Sequence, residues 1–166
     1  MGMRRLTALL AGLAICVHGG TFAQTPDAQQ QRDALKGFPG VALIVEDLGD
    51  DARRDGLTAE KVTADIEERL NTGGVRIFKR GEPAPTLYVN IIPRRSDIGI
   101  YKVEIEIDVL QLYQPLPVNR ETVLQFLWQR WTEHQTDRRQ VDNTRYVIND
   151  FVDQFVADWL MVNPRY

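Results

Sequence analysis

The chain has 166 residues, enough for one globular domain, and its 43% hydrophobic and 26% charged residues are ordinary for a soluble protein. Acidic residues outnumber basic ones, which gives a formal net charge of −3 at pH 7. A negative net charge argues against non-specific binding to nucleic acid or to an anionic membrane surface. We therefore expect no nucleic-acid partner.

The first residues, 1–23, have the three parts of a secretory signal. Arg4 and Arg5 form a basic start, Leu6–Val17 is an apolar run, and Ala23 ends a small-x-small exit. The apolar run is shorter than the roughly 20 residues that span a bilayer. We therefore predict cleavage after Ala23 rather than a retained anchor, and no stable membrane insertion afterwards. The signal holds two of the 20 basic residues and none of the 23 acidic ones, so the mature chain would have a net charge of −5.

The single cysteine, Cys16, lies inside this predicted signal. It suggests a lipid-attachment site, but Ile15 stands where such a site has a small residue. A mature chain that begins after Ala23 would contain no cysteine, and its core alone would hold it together. The compartment that these features predict is the periplasm or the outside of the cell.

After the signal, the polar segment 24–37 is predicted to be a flexible leader, and residues 38–166 a single α/β domain. The apolar run Val41–Leu48 is bounded by turn residues, which is typical of a strand buried on both faces. A charged loop, 49–56, follows. A helix then begins at Thr58, whose hydroxyl can accept from the first free backbone amides.

Three further strands are predicted in the middle of the chain. The first two are Val75–Arg80 and Thr86–Ile92, and Pro93 is expected to end the second because proline cannot donate to a sheet ladder. The third, Gly99–Val109, has the clearest pattern, since apolar and polar residues alternate strictly along it. Such alternation predicts one buried and one solvent-exposed face. The exposed face would carry Lys102, Glu104, Glu106 and Asp108.

The segment 119–134 fits either a helix or a strand by the spacing of its apolar residues. We predict a strand, because aromatic and β-branched residues dominate and the alternating strand needs a partner. Since successive strand residues face opposite ways, Phe126 and Trp128 would then point inward, and Leu127 and Trp131 outward.

The last helix is predicted to run from about Gln140 to Val162 and to end at Asn163-Pro164. The element order is therefore β-α-β-β-β-β-α. It predicts an α+β two-layer sandwich, in which a mostly antiparallel sheet of about five strands carries two helices on one face.

Candidates for catalysis are few. After signal removal Ser96 and His134 are the only serine and the only histidine, and nothing in the local sequence pairs them. Glu104, Glu106 and Asp108 would share one sheet face, where paired carboxylates can serve acid–base chemistry if a cleft desolvates them. The sequence offers no lid to make such a cleft. We predict no catalytic residue, no metal and no cofactor, and we favour a non-enzymatic protein.

An outward aromatic side chain beside the acidic strand is a candidate protein contact. Leu127, Trp131 and Tyr88 form the predicted contact patch. The predicted function is that of an exported accessory or binding protein of the cell envelope, with a protein partner at this patch. The alternative is a small-ligand-binding or hydrolytic domain that uses the acidic face. Assembly of copies by pairing of strand edges is left open.

Several stretches resemble a set of small secreted proteins of Gram-negative bacteria to which no activity is assigned. These are Gly-Leu-Thr-Ala-Glu at 56–60, Leu-Tyr-Val-Asn at 87–90, the strand from Tyr101, and Phe-Val-Asp-Gln-Phe-Val-Ala-Asp-Trp-Leu at 151–160. The layout is also similar to that of the TolB N-terminal domain and of lipoprotein activators of peptidoglycan synthases. The resemblance implies an envelope accessory protein and carries no catalytic residue.

Overall fold

A computed structural model describes residues 27–79, 81–113 and 123–164 of the protein. The predicted signal, 1–23, lies outside the described residues. The helices are α1 (Ala28–Ala34), α2 (Asp50–Arg54), α3 (Ala59–Gly73) and α4 (Thr144–Val162), the last preceded by a 3-10 turn at Val141–Asn143. The strands are β1 (Gly40–Val45), β2 (Arg76–Phe78), β3 (Thr86–Arg95), β4 (Ile100–Tyr113) and β5 (Val123–Asp137).

The five strands form one sheet in the order β2-β1-β3-β4-β5. The predicted α+β sandwich is confirmed, but the sheet is mixed. β1 is parallel to both β2 and β3, whereas β3, β4 and β5 are antiparallel neighbours. The parallel pair β1–β2 follows from the connection between them, because α2 and α3 supply the long crossover that parallel strands require.

One face of the sheet packs against α3 and α4, as predicted. Every second side chain of β4 is fully buried in the core: Tyr101, Val103, Ile105, Ile107 and Val109. The helices contribute apolar stripes to the same core: Val62, Ile66 and Leu70 on α3, and Ile148, Val152 and Phe155 on α4. β5 joins this core through Trp128, whose ring meets the Phe155 ring edge to face at a centroid distance of 5.6 Å.

The bounds of α3 follow from its terminal residues. The Thr58 hydroxyl accepts from the Lys61 amide at 3.3 Å, and Gly74 takes the left-handed conformation at the other end, with φ of 62°. The preceding Gly73 lies against α4, where an added Cβ would approach Val156 Cγ1 to 2.4 Å. A glycine here lets the two long helices come close together.

Two segments predicted as irregular contain helices. In the predicted leader, residues 28–34 form α1, which Asp27 caps by accepting from the Gln30 amide at 2.8 Å. Leu35 then enters the core, so this part of the leader packs as part of the domain. Within the predicted loop 49–56, α2 forms and buries Ala52. α2 has one buried side chain, Ala52, whereas α1 buries the polar Gln31 and is followed by the buried Leu35, and isolated buried residues of this kind are a weak sequence signal.

Pro93 does not end β3, which continues to Arg95 and pairs with β4 along its whole length. β1 pairs only with Thr86–Val89 of this strand. At Pro93 the β1 side of β3 is therefore a sheet edge, where the missing N–H of proline leaves no ladder bond unmade.

The strand predicted at 119–134 is confirmed as β5 over its described part, but its inward and outward phase is not regular. Val109 pairs with Trp128 and Leu110 with Phe126, so Leu127 is an extra residue in a β-bulge. The bulge shifts the alternation by one residue. Leu127 and Trp128 both enter the core, at 4% and 0% exposure, and the predicted outward orientation of Leu127 is wrong.

Candidate functional site

We call the side of the sheet opposite α3 and α4 the open face. The strand register aligns its side chains in rows across β3, β4 and β5. The rows are Tyr88–Asp108–Gln129, Asn90–Glu106–Trp131 and Ile92–Glu104–Glu133. The open face thus brings together the predicted contact residues Tyr88 and Trp131 and the predicted acidic residues, but not Leu127.

Large apolar side chains are exposed on the open face along the β4–β5 hairpin. Trp131 is 64% exposed and Phe126 45% exposed. Phe126 was predicted to point inward, and the bulge at Leu127 turns it outward. Leu112 is 71% exposed and pairs with Leu124, in a part of the hairpin that extends past the end of β3. Exposed apolar side chains along one face of a hairpin are typical of a contact surface.

The exposed Leu112 had a sequence signal that the prediction did not use. It has the same parity as Glu106 and Asp108, which were assigned to the outward side of the strand. Extending that alternation by two positions predicts an outward Leu112. Phe126 had no such signal, because the position of a bulge does not follow from apolar spacing alone.

Tyr88 lies on the open face two strands away from Trp131, roughly 10 Å across the sheet at normal strand spacing. It is half-buried, and Glu46 lies nearby, just after β1. Burial, reinforced by the negative charge of Glu46, raises the pKa of the Tyr88 hydroxyl. Tyr88 therefore stays neutral.

The acidic side chains nearest the Pro93 end of the open face are paired with cations. Glu104 pairs with Arg94 across the β3–β4 ladder. Glu133 pairs with Lys102 at 2.8 Å across the β4–β5 ladder. Such cross-strand pairs stabilise a sheet by a few tenths of a kcal/mol to about 1 kcal/mol each, and they leave no uncompensated charge in this row.

Asp108 is the exception on the open face, since only 3% of its surface is exposed. Its carboxylate accepts one long hydrogen bond, 3.4 Å, from Gln129 Nε2. Burial and the neighbouring Glu106 raise the pKa of Asp108 to about 6, well above its ordinary value. Within the described residues, neither Asp108 nor Glu106 forms an ion pair with a lysine or arginine.

Ser96 and His134 are engaged separately. Ser96 Oγ donates to the Ile100 carbonyl at 2.9 Å inside the β3–β4 turn. His134 Nε2 lies 3.2 Å from Thr144 Oγ1 at the start of α4, and burial lowers its pKa. Among the described residues, no three His, Cys, Asp or Glu side chains converge in a way that could hold a metal ion.

Apart from the open face, a groove of about 510 Å³ lies between α3 and α4. Its walls are held by ion pairs between the two helices. Asp65 accepts two hydrogen bonds from Arg145, at 2.6 and 2.7 Å, and these bonds lower the pKa of the Asp65 carboxyl. The charged side chains of this groove pair with one another, which indicates that they hold α3 and α4 together.

Comparison with known proteins gives only distant matches. No protein-family model matches the chain, and no curated protein sequence does. Rare lipoprotein B from Shewanella oneidensis is structurally similar over 74% of this chain and 91% of its own, with 12% identity and a TM-score of 0.32. A minor lipoprotein from Acinetobacter baumannii matches 74% of this chain and 90% of its own, with 16% identity and a TM-score of 0.37. Likenesses of this size do not establish a shared family or activity. No helix in the described parts of the chain is long and apolar enough to cross a membrane.

Proposed function

We propose that the protein is an exported accessory or binding protein of the cell envelope that contacts another protein through its open face. The observation that carries this proposal is the exposure of Trp131, 64%, on the open face of the edge strand β5. Tryptophan is enriched at the energetic centres of protein interfaces because its large rigid ring buries much area at little entropic cost.

The surroundings of Trp131 have the composition of an interface. Phe126, Leu124 and Leu112 extend the apolar surface along the hairpin, and Lys102 and Glu133 form a polar rim on its other side. An apolar centre with a polar rim is the usual anatomy of a specific contact. The envelope location in the proposal rests on the signal pattern at 1–23.

A photo-crosslinking amino acid placed at position 131 in cells tests the contact. We expect it to capture a discrete protein from the envelope. The matched control is the same amino acid at Tyr146, which is 69% exposed on α4, in the helix layer. Equal capture at positions 131 and 146, or none at 131, would refute the contact.

A second variant separates the contact from folding. With the crosslinker at Glu133, also exposed on the open face, Trp131→Asp should abolish capture and leave the melting temperature unchanged within about 2 °C, because a surface substitution costs little stability. Export is tested by the mass of the mature protein in the periplasmic fraction or the medium. A mature N-terminus at Gln24 is expected, and an intact Met1 in the cytoplasm would contradict it.

A further inference from the structure

The open face carries negative charge that its own residues do not balance. We call Glu46, Glu106 and Asp108 the acidic centre. Around it, Glu104 and Glu133 are paired with Arg94 and Lys102. In the parts of the chain that the structure describes, no lysine or arginine pairs with a member of the acidic centre. The charge is therefore uncompensated in the middle of the face and compensated toward its rim.

Aromatic side chains flank this charge on both sides. Asp108 lies beside Tyr88 of β3, and Glu106 lies beside Trp131 of β5. Glu46 in turn lies near Tyr88, close enough for its charge to act on the Tyr88 hydroxyl. Carboxylates set between aromatic rings suit a guanidinium or ammonium group, because the oxygens accept its hydrogen bonds and a ring face attracts its charge.

Resting on the function proposed above, we propose that the open face receives a basic amphipathic segment of the partner protein. An arginine or lysine of that segment would pair with the half-buried Glu106, close to the buried carboxylate of Asp108. Its apolar side chains would cover Trp131 and Phe126. The charge complementarity selects a protein over a membrane surface, because anionic headgroups would be repelled by the acidic centre.

The energetics of Asp108 support this assignment. Its pKa of about 6 means that the buried carboxylate is held at a cost at neutral pH. Among the described residues, the groups that face it are Glu106 on its own strand, Tyr88 on β3 and Gln129 on β5, and none of these is a cation. A cation from the partner would lower the pKa again. Binding would then be coupled to proton release near pH 6, where Asp108 is half protonated, and would weaken below that pH.

The test uses synthetic peptides of about 14 residues, roughly four helical turns, with leucine on one face and arginine on the other. A second peptide has glutamine in place of every arginine. Isothermal titration calorimetry on the full mature protein should show about tenfold tighter binding of the arginine peptide, a typical effect of charge complementarity. That preference should shrink at pH 5, where Asp108 is protonated.

Two double variants remove the same charge from different places. Glu106→Gln with Asp108→Asn should weaken binding of the arginine peptide about tenfold. Glu67→Gln with Glu68→Gln, on the exposed surface of α3, changes the net charge equally and should alter the affinity less than twofold. An equal loss of affinity in both double variants would mean that the peptide responds only to the net charge of the protein, and it would overturn the inference. So would equal affinity for the two peptides, or no binding of the arginine peptide.

Failure of this inference is distinguishable from failure of the proposed function. If the glutamine peptide binds as tightly as the arginine peptide, and Trp131→Ala weakens both, the open face is a docking surface without a preference for basic partners. The inference is then wrong and the function stands. If the crosslinker at position 131 captures no protein in cells, the proposed function fails whatever the peptides do.

Discussion

The two faces of β4 are built from alternate residues of one strand, yet their side chains differ in burial and in chemical type. On the inner face, the five side chains from Tyr101 to Val109 are fully buried and apolar or aromatic. On the open face, the same strand carries exposed Leu112, ion-paired Glu104 and the buried carboxylate of Asp108. A face that only had to meet water would expose its charges and bury its leucines. This contrast is the basis of the contact proposed for the open face.

On the inner face, strand propensity, the hydrophobic pattern and side-chain packing all agree. Its strand residues are β-branched or aromatic, and they belong to the same buried cluster as the apolar stripes of α3 and α4. The open face departs from this agreement at two residues. The buried carboxylate of Asp108 lowers stability, and the exposed ring of Trp131 lowers solubility. Sites of function are where such departures are expected.

The sharpest way to test the comparison is to truncate one tryptophan on each face. Trp128→Ala should lower the free energy of unfolding by about 3–5 kcal/mol, because it empties a fully buried site against Phe155. Trp131→Ala should change it by less than about 0.5 kcal/mol. Urea denaturation of both variants measures the difference. Similar losses would mean that Trp131 is packed, and the open face would not be open.

The bulge provides the second test, with a pair of neighbouring residues. Leu127→Ala should cost about 2–3 kcal/mol, since its side chain is 4% exposed, whereas Phe126→Ala should cost less than about 1 kcal/mol despite the larger ring. The comparison uses urea midpoints at constant slope. A larger loss of stability for Phe126→Ala would indicate regular alternation through 126–128 and would contradict the bulge.

Much of the fold could be predicted from the sequence, because strong periodicity reports burial directly. The alternation from Tyr101 to Val109 and the stripe of α3 are long, and each points to one structure. The contact patch could be predicted only in part. Trp131 lies past the bulge, where the alternation happens to give the right side, and Leu127 lies on it. One inserted residue reverses every orientation on one side of it, here at Phe126 and the residues before it, and no propensity marks where it occurs.

Long-range polar contacts were beyond the sequence altogether. Asp158, a charged residue of α4, is only 8% exposed. Its carboxylate accepts from Trp128 Nε1 at 2.9 Å and from Arg130 at 3.2 Å, while the Arg130 guanidinium lies over the Trp128 ring. Gln31 of α1 also accepts from Arg130, at 2.9 Å. Residues separated by about a hundred positions meet here, and their pairing follows from topology rather than from local pattern.

This network predicts a smaller but clear effect on the inner face. Asp158→Ala should lower the free energy of unfolding by about 2 kcal/mol, because the indole N–H and the Arg130 guanidinium lose a buried charged acceptor. The control is Asp153→Ala, which removes an exposed carboxylate of α4 paired with Arg69 and should cost less than about 1 kcal/mol. Chemical denaturation compares them. Equal costs would show that the network adds nothing beyond a surface ion pair.

The smallest expected effect has the opposite sign and lies on the open face. The pKa of Asp108 rises from 3.8 to about 6 on folding, so the folded state binds more protons than the unfolded chain between these values. The free energy of unfolding contributed by this group therefore falls as pH rises from about 4 to about 6 and stays low above pH 6.

Asp108→Asn removes this cost and keeps the shape of the side chain. We expect it to raise the free energy of unfolding at pH 7 by about 1 kcal/mol, a value below the full shift because the asparagine amide must itself be buried there. The gain should disappear by pH 4, where Asp108 of the unaltered chain is protonated in the folded state. Urea titrations at pH 4, 5.5 and 7 measure it, with exposed Glu67→Gln as the control expected to change little. A loss of stability at pH 7 would mean that the carboxylate is compensated within the chain, and the argument for a cationic partner would lose its energetic support.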